Sequence, residues 1–205
     1  MKISKDIFSP TKNSLLVYQY VAHAALIYLI VTGTWVEWLI CAILYFFKVT
    51  IGGTITLHRL LSHRSFVAPK WFEYFGSFLA ATGGNSTTIG WVALHREHHR
   101  HTDTELDPHA PKFFGYIRVQ FRSMTRLPKI KYAPDLLRSK FHVHLHTYHW
   151  AYSIGFAAIL ALIDPRAVIY AYLVPSLLVW HGGSLINSLN HSPIGYRNYD
   201  TKDLS

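Results

Sequence analysis

Trp35 to His63 reads WVEWLICAILYFFKVTIGGTITLHRLLSH, and this stretch decides the fold. Its first part, Trp35 to Ile51, is an apolar run close to the roughly 20 residues that cross a bilayer core. His58 and His63 follow at a spacing of five. On an ideal α-helix such side chains diverge, so a shared metal requires a distorted helix end, or each histidine serves a different metal. A pair of interfacial histidines is the alternative.

Three further apolar runs accompany this one: Leu15 to Val31, Tyr148 to Ile163 and Val168 to Leu189. The linker from Thr32 to Thr34 is too short for anything but a hairpin, and Pro165 stands where a helix would end. The four runs therefore predict two transmembrane hairpins. We expect an all-α integral membrane four-helix bundle with a cytoplasmic helical cap, forming a single domain over residues 1–205.

Composition agrees with a membrane protein. Half of the residues are hydrophobic, and the formal net charge is +9. The basic residues flank apolar runs, so the predicted partner is a membrane surface with anionic lipid and not nucleic acid. A single cysteine, Cys41, excludes an internal disulfide, a cysteine-ligated zinc site and an iron–sulfur cluster within this chain.

The segment from His58 to His146 is rich in basic residues, while the linker from Thr32 to Thr34 has none. The positive-inside rule then predicts a cytoplasmic N-terminus, central segment and C-terminus. Glycines and small polar residues interrupt the apolar stretch from Trp71 to Leu94. This stretch is predicted to be an interfacial or re-entrant piece rather than a clean span.

The motif His95-Arg-Glu-His98-His99-Arg-His101 is the most specific signal in the chain. Positions i, i+3 and i+4 share a helical face, so His95, His98 and His99 can converge on one or two metal ions. Imidazoles with few carboxylates suit iron, zinc or copper. A basic solvated face is the alternative, and His101 is expected to support the ligands or lie on the surface.

Asn187 and His191 form a third feature at the end of the last apolar run. They are four residues apart and share a helix face. A buried polar pair there needs a partner, which a metal and its bound water would supply. An interhelical hydrogen bond is the alternative. All three features fall at predicted cytoplasmic helix ends, which favours a common metal site.

At these motifs the sequence resembles the membrane fatty-acid desaturases, especially the bacterial and cyanobacterial delta-9 members. The similar segments are HRLLSHRSF from His58, WVALHREHH from Trp91, TDTELDPH from Thr102, NSLNH from Asn187, and Gly195-Tyr196-Arg197. The resemblance implies two iron ions whose ligands are His58, His63, His95, His98, His99, Asn187 and His191.

The same resemblance implies an oxygen-dependent enzyme that places a double bond in an acyl chain, with Trp91 at the substrate site. Asp103 and Asp107 would orient ligand histidines, although loop capping is an alternative. The basic stretch between Arg118 and Lys140 would lie on headgroups or dock an electron donor such as ferredoxin or cytochrome b5. Ala93 and Leu94 replace the Arg-Asp pair of animal acyl-CoA enzymes, so a glycerolipid or a thioester is the expected acyl carrier.

The sequence departs from the family pattern after the Gly195–Arg197 segment. The family has a third box, HxxHH, some distance beyond this segment, and no such motif lies between Arg197 and Ser205. Neither His109 nor the group His142, His144, His146 and His149 has the spacing to replace it. We therefore expect a C-terminally incomplete chain, a second polypeptide that supplies the box, or a protein that has lost catalysis.

Three other functions are compatible with parts of the sequence. Related histidine-box proteins are hydroxylases or ketolases. A catalytically incomplete fragment would bind lipid or act as a partner subunit. A membrane b-type haem protein would use His23 and His181, which lie within the first and fourth apolar runs, as axial ligands.

Overall fold

The computed structural model describes residues 10–83, 86–122 and 128–191; Gly195–Arg197 and Ser205 lie outside these ranges. The described part is helical and contains no strand. Its α-helices are α1 (Lys12–Thr32), α2 (Trp35–Phe47), α3 (Lys70–Ala81), α4 (Thr88–His101), α5 (Pro111–Phe114), α6 (Tyr116–Arg122), α7 (Lys140–Thr147), α8 (His149–Ile163) and α9 (Val174–Leu189). Two π-helices, π1 (Lys48–Ser62) and π2 (Val168–Leu173), and two 3₁₀ turns, Ile130–Tyr132 and Leu136–Arg138, complete the structure.

Three helices are long and apolar enough to cross a membrane: α1, the continuous α2–π1 rod (Trp35–Ser62) and the π2–α9 rod (Val168–Leu189). These confirm three of the four predicted spans in length and composition. The fourth apolar run forms α8, which is shorter. Capping boxes at Thr11 and Thr34 begin α1 and α2, and the second of them produces the predicted tight hairpin.

The π-helical form of π1 explains how His58 and His63, five residues apart, can lie on the same side of the helix. The amide of His63 donates to the carbonyl of His58 over 3.0 Å, a bond that spans five residues. Because each turn of a π-helix closes at i+5, residues five apart come to the same side of the rod. The required distortion of the helix end is therefore present, over the whole length of π1.

The stretch from Trp71 to Leu94 forms two helices, α3 and the first half of α4, instead of one span. α3 packs along π1 through small residues. A Cβ on Gly52 would lie 3.0 Å from the backbone nitrogen of Ala80, and Gly76 faces Thr56 directly. Small residues at such crossings let helix backbones approach closely. π1 and α3 thus make the platform on which α4 rests.

A buried apolar core lies between π1, α3, α4 and α7. Its members are Leu57, Leu60, Leu61, Ala80, Ile89, Val92, Ala93, Ala133, Leu136 and Val143. By contrast, the outer faces of the long helices are apolar and open, with Val31 77% and Leu162 88% exposed. Such faces are unfavourable in water and suit contact with lipid.

Candidate metal centre

Four histidines from two helices meet at one end of the molecule. The Nε2 atom of His63 lies 3.1 Å from that of His58 and 3.1 Å from that of His95. The Nε2 atom of His99 lies 3.0 Å from that of His95. One ring nitrogen from each of the four falls within 4.8 Å of the others. We call this group the four-histidine cluster.

Two rigid elements position the cluster. π1 presents His58 and is followed directly by His63, while α4 presents His95 and His99 one turn apart. Trp91, one turn before His95, stacks on its ring with centroids 4.7 Å apart and planes at 19°. This contact fixes the ring plane of His95, which lies deepest in the cluster.

The spacing of the nitrogens fits a metal ion. Two nitrogens each about 2.1 Å from one ion lie about 3.0 Å apart when their bonds meet at right angles, and about 3.4 Å apart in a tetrahedron. The observed 3.0–3.1 Å separations match ligands at right angles. Imidazole donors of this kind suit iron, zinc or copper.

The electrostatics keep cluster imidazoles neutral. Burial, followed by the neighbouring histidine His99, lowers the pKa of His95 to about 2. Burial and the adjacent His98 also lower the pKa of His99. Since a metal binds the unprotonated ring, these rings are ready to bind at neutral pH without losing a proton.

A second group lies beside the cluster. Nδ1–H of His98 donates to Asp107 over 2.9 Å, and Nδ1–H of His191 donates to Asp103 over 3.0 Å. The rings of His98 and His191 are 5.0 Å apart at their centroids. A carboxylate on Nδ1 leaves the Nε2 lone pair for a metal. We call His98 and His191, with these two carboxylates, the paired-histidine group.

Asp107 is the centre of the loop after α4. Its side chain is fully buried and also accepts the backbone amides of Asp103, over 2.9 Å, and His109, over 2.8 Å. Burial acts to raise the pKa of Asp107, but the hydrogen bonds from His98 and the two amides outweigh it and lower the pKa. The carboxylate is therefore charged at neutral pH and holds the loop in shape.

A cavity of about 410 Å³ opens beside the four-histidine cluster. It extends between the α2–π1 rod and α9, and glycines at positions 53, 182 and 183 form part of its wall. His58, His95, Trp91 and Asn187 line the end near the histidines. The cavity therefore brings apolar side chains, two members of the four-histidine cluster and Asn187 of α9 around one space.

Other histidines lie elsewhere. His101 contacts the hydroxyl of Tyr132 at 3.2 Å, away from both groups. His142 donates to Glu73 over 3.2 Å, and His146 contacts Thr87, which caps α4. These two histidines anchor α7 to α3 and to the start of α4.

His23 and His181 do meet, as the haem alternative requires, but as a hydrogen-bonded pair with Nε2 atoms 3.0 Å apart. Two axial nitrogens around an iron need roughly 4 Å, twice a metal–imidazole bond of about 2.0 Å. The observed separation is that of a hydrogen-bonded pair and is shorter than this axial spacing. Gln120 holds the other nitrogen of His181 at 3.0 Å.

Two features of the site were not predicted from the sequence. His109 is buried with its ring centroid 5.6 Å from that of His98. Asp135 binds two arginines that each follow a cluster histidine in the chain. The arginines directly after His63 and His95 could have indicated an ion pair. Their partner, Asp135, lies far along the chain and belongs to no recognisable motif.

Comparison with known proteins identifies the family of the chain. The fatty acid desaturase family model matches residues 33–204. The chain is 37% identical over 164 residues to the sn-2 palmitoyl-lipid 9-desaturase of Nostoc sp. (strain 36), covering 75% of this chain and 57% of that protein.

Two further relatives are similar. The Acyl-CoA C20 Delta5-desaturase of Anemone leveillei is 32% identical, over 85% of this chain and 58% of its own length. The sn-1 stearoyl-lipid 9-desaturase of Anabaena variabilis is 30% identical, over 84% of this chain and 65% of its own length. The matched part of the chain thus spans between 57% and 65% of these three relatives.

Proposed function

The chain belongs to the fatty acid desaturase family, and we propose that it is an oxygen-dependent fatty acyl desaturase of the delta-9 type. Its substrate would be a lipid-linked or thioester-linked acyl chain. The observation that carries the proposal is the four-histidine cluster at the end of an apolar cavity. Two of the relatives are named as acyl-lipid 9-desaturases, which supports both the position of the double bond and a glycerolipid carrier.

The residues present fit two iron ions. The four-histidine cluster would hold one ion through His58, His63, His95 and His99. The paired-histidine group would hold the other through His98 and His191, with Asn187 nearby. Bound iron, reduced by an external donor, would supply the dioxygen chemistry that removes hydrogen from an unactivated methylene.

The chain's own part is to position, orient and exclude water. Asp103 and Asp107 fix the rings of His191 and His98 through their Nδ1–H groups. The cavity would hold the acyl chain, because its volume lies in the range of ligand sites. A methylene offers no polarity to grip, so the position of the double bond would follow from where the cavity holds the chain. Trp91 would contact the chain beside His95.

In the membrane, α1, the α2–π1 rod, α8 and the π2–α9 rod would form a four-helix bundle within one domain. The N-terminus, histidine groups and C-terminus would face the cytoplasm. Basic side chains at Lys131, Arg138 and Lys140 are exposed in the segment between α6 and α7 and at the start of α7. They would contact anionic headgroups and an acidic electron donor such as ferredoxin or cytochrome b5.

The proposal is tested by expressing the chain in cells fed stearate, alone and with a polypeptide that carries an HxxHH box, and measuring fatty acids by gas chromatography. A delta-9 monoene that disappears in His98→Ala, with the α-helical circular dichroism unchanged, supports the proposal. A hydroxylated acid would identify a hydroxylase instead. Absence of any product in both settings, with the protein folded in the membrane, would contradict the enzyme assignment.

A further inference from the structure

Asp135 joins the two elements that carry the four-histidine cluster. Its carboxylate lies 2.8 Å from Nη2 of Arg64, and 2.7 and 3.1 Å from the two terminal nitrogens of Arg96. Arg64 directly follows His63, and Arg96 directly follows His95. One carboxylate thus bridges the end of π1 and the middle of α4.

Arg96 is fully engaged in this bridge. A guanidinium has five N–H groups, and here five acceptors surround it. Besides both oxygens of Asp135, they are the carbonyls of Leu61 at 2.6 Å, Ser62 at 3.3 Å and Tyr132 at 3.0 Å. Carbonyls in the last turn of a helix lack amides ahead of them, so Arg96 caps the end of π1.

We propose that Asp135 is a positioning residue that, through Arg96 and Arg64, sets the distance between His63 and His95 and so prepares the cluster for a metal ion. This inference rests on the proposed metal-binding function. The contact between His63 and His95, 3.1 Å between Nε2 atoms, crosses from the end of π1 to α4. A shift of the π1 end relative to α4 would open this contact first.

The two arms of the bridge are unequal. The side chain of Arg64 is 63% exposed, and exposed ion pairs contribute little to stability. The side chain of Arg96 is only 18% exposed, and its two parallel bonds to the carboxylate fix an orientation as well as a distance. Burial acts to raise the pKa of Asp135, but Arg96 and Arg64 outweigh it and lower the pKa, so the bridge is charged at neutral pH.

A matched ion pair at the opposite end of the bundle provides the control. Glu37 binds Arg166 through bonds of 2.7 and 3.0 Å, and the pair ties the two hairpin loops together. Glu37→Gln breaks a two-bond arginine–carboxylate pair of the same kind, far along the α2–π1 rod from the histidines. It reports what a general loss of stability does to the site.

The first measurement is Co²⁺ titration of the detergent-purified 205-residue chain, followed through the visible absorption of the bound ion. We expect Asp135→Asn to weaken Co²⁺ binding by about 10- to 100-fold and to change the spectrum. Asp135→Glu should restore part of both. Glu37→Gln should lower the thermal midpoint yet leave affinity and spectrum unchanged. An Asp135→Asn variant with wild-type affinity and spectrum would overturn the inference, as would equal losses in both variants.

The second measurement needs no metal. Spin labels at exposed positions 59 and 100, on a Cys41→Ala background, report the distance between π1 and α4 by pulsed electron resonance. We expect Asp135→Asn to broaden or lengthen the distribution, and Glu37→Gln to leave it unchanged. If the parent chain binds no Co²⁺ while this shift occurs, the metal function fails and the positioning role stands. An unaltered distribution in Asp135→Asn refutes the positioning role whatever the cobalt result.

Discussion

Replacement of Asp107 by asparagine tests whether carboxylates orient the paired-histidine group. The carboxylate is fully buried and accepts three N–H groups, from the ring of His98 and from the amides of Asp103 and His109. Asparagine keeps one oxygen, which can still serve the two donors on Oδ1. Its amide nitrogen would then face the amide of Asp103, so one buried N–H loses its acceptor and the His98 ring loses a charged one.

The size of the effect follows from these contacts. A hydrogen bond to a charged group contributes about 1.5–3 kcal/mol, and about 1.4 kcal/mol corresponds to a factor of ten. If most of this loss appears in metal binding, affinity falls by roughly 10- to 100-fold, which is the usual range for residues that orient metal ligands. Asp107→Asn should therefore cost about two kcal/mol at the paired-histidine group.

The assay is Co²⁺ binding to the purified chain, in which we expect two phases. The four-histidine cluster offers four imidazoles and should fill first, while the paired-histidine group offers two and should fill at higher concentration. Asp107→Asn should weaken the second phase and leave the first within twofold. Glu105→Gln, an exposed acid in the same loop, should change neither. The reasoning is refuted if Asp107→Asn weakens only the first phase, or if Glu105→Gln has the same effect.

Three further outcomes are expected. Gly76→Ala would place a methyl only 2.8 Å from the Cβ of Thr56 and should lower the free energy of unfolding by about 1–3 kcal/mol. As the control, Gly53→Ala would place a methyl 3.7 Å from its nearest neighbour and should not lower the thermal midpoint. Burial lowers the pKa of His142, so on acidification the unfolded chain takes up a proton that the folded chain does not. The stability should be full above about pH 6.5 and fall below it, by up to about 1.4 kcal/mol per pH unit for this histidine. His142→Asn should therefore flatten the dependence of the thermal midpoint on pH. A Cβ on Gly183 meets nothing within 4 Å, so Gly183→Leu should fold normally yet reduce binding of a fluorescent fatty acid; unchanged binding would contradict the cavity as the acyl site.

The helical class and three long spans were predictable because length and apolar character are local properties of the chain. The spacing of His58 and His63 was harder. Sequence alone predicts either a distorted helix or separate metals, because the choice between i+4 and i+5 bonding depends on packing. Here the close fit of α3 against π1, through Gly52 and Gly76, accompanies the wider turn.

Helix geometry explains why His95 and His99 are separated from His98, although it did not predict this separation. On α4, His99 lies about 40° from His95 around the axis on one side, and His98 about 60° on the other. The sequence therefore predicted a shared face, while the structure sends His95 and His99 to the cluster and His98 to Asp107. Which side meets which partner depends on the loop after α4, whose path no local pattern specifies.

Asp135 shows the limit of motif analysis more clearly. It lies 39 residues from Arg96, in a region without apolar periodicity or a histidine box. The 3₁₀ turn at Ile130–Tyr132 packs against α4 and so brings Asp135 close to Arg96. Long-range ion pairs of this kind depend on tertiary structure.

The two histidine groups are held in different ways, and this difference explains where the carboxylates are. The four-histidine cluster is presented by two packed helices; its carboxylate, Asp135, acts through Arg96 and Arg64, while Trp91 stacks on the ring of His95. The paired-histidine group combines a helix residue, His98, with His191 just after the end of α9. Rings that come from elements not packed side by side need hydrogen bonds from another segment to fix their orientation. Asp107 and Asp103, both in the loop after α4, supply these hydrogen bonds. Changes in that loop should therefore affect metal binding at the paired-histidine group more than at the four-histidine cluster.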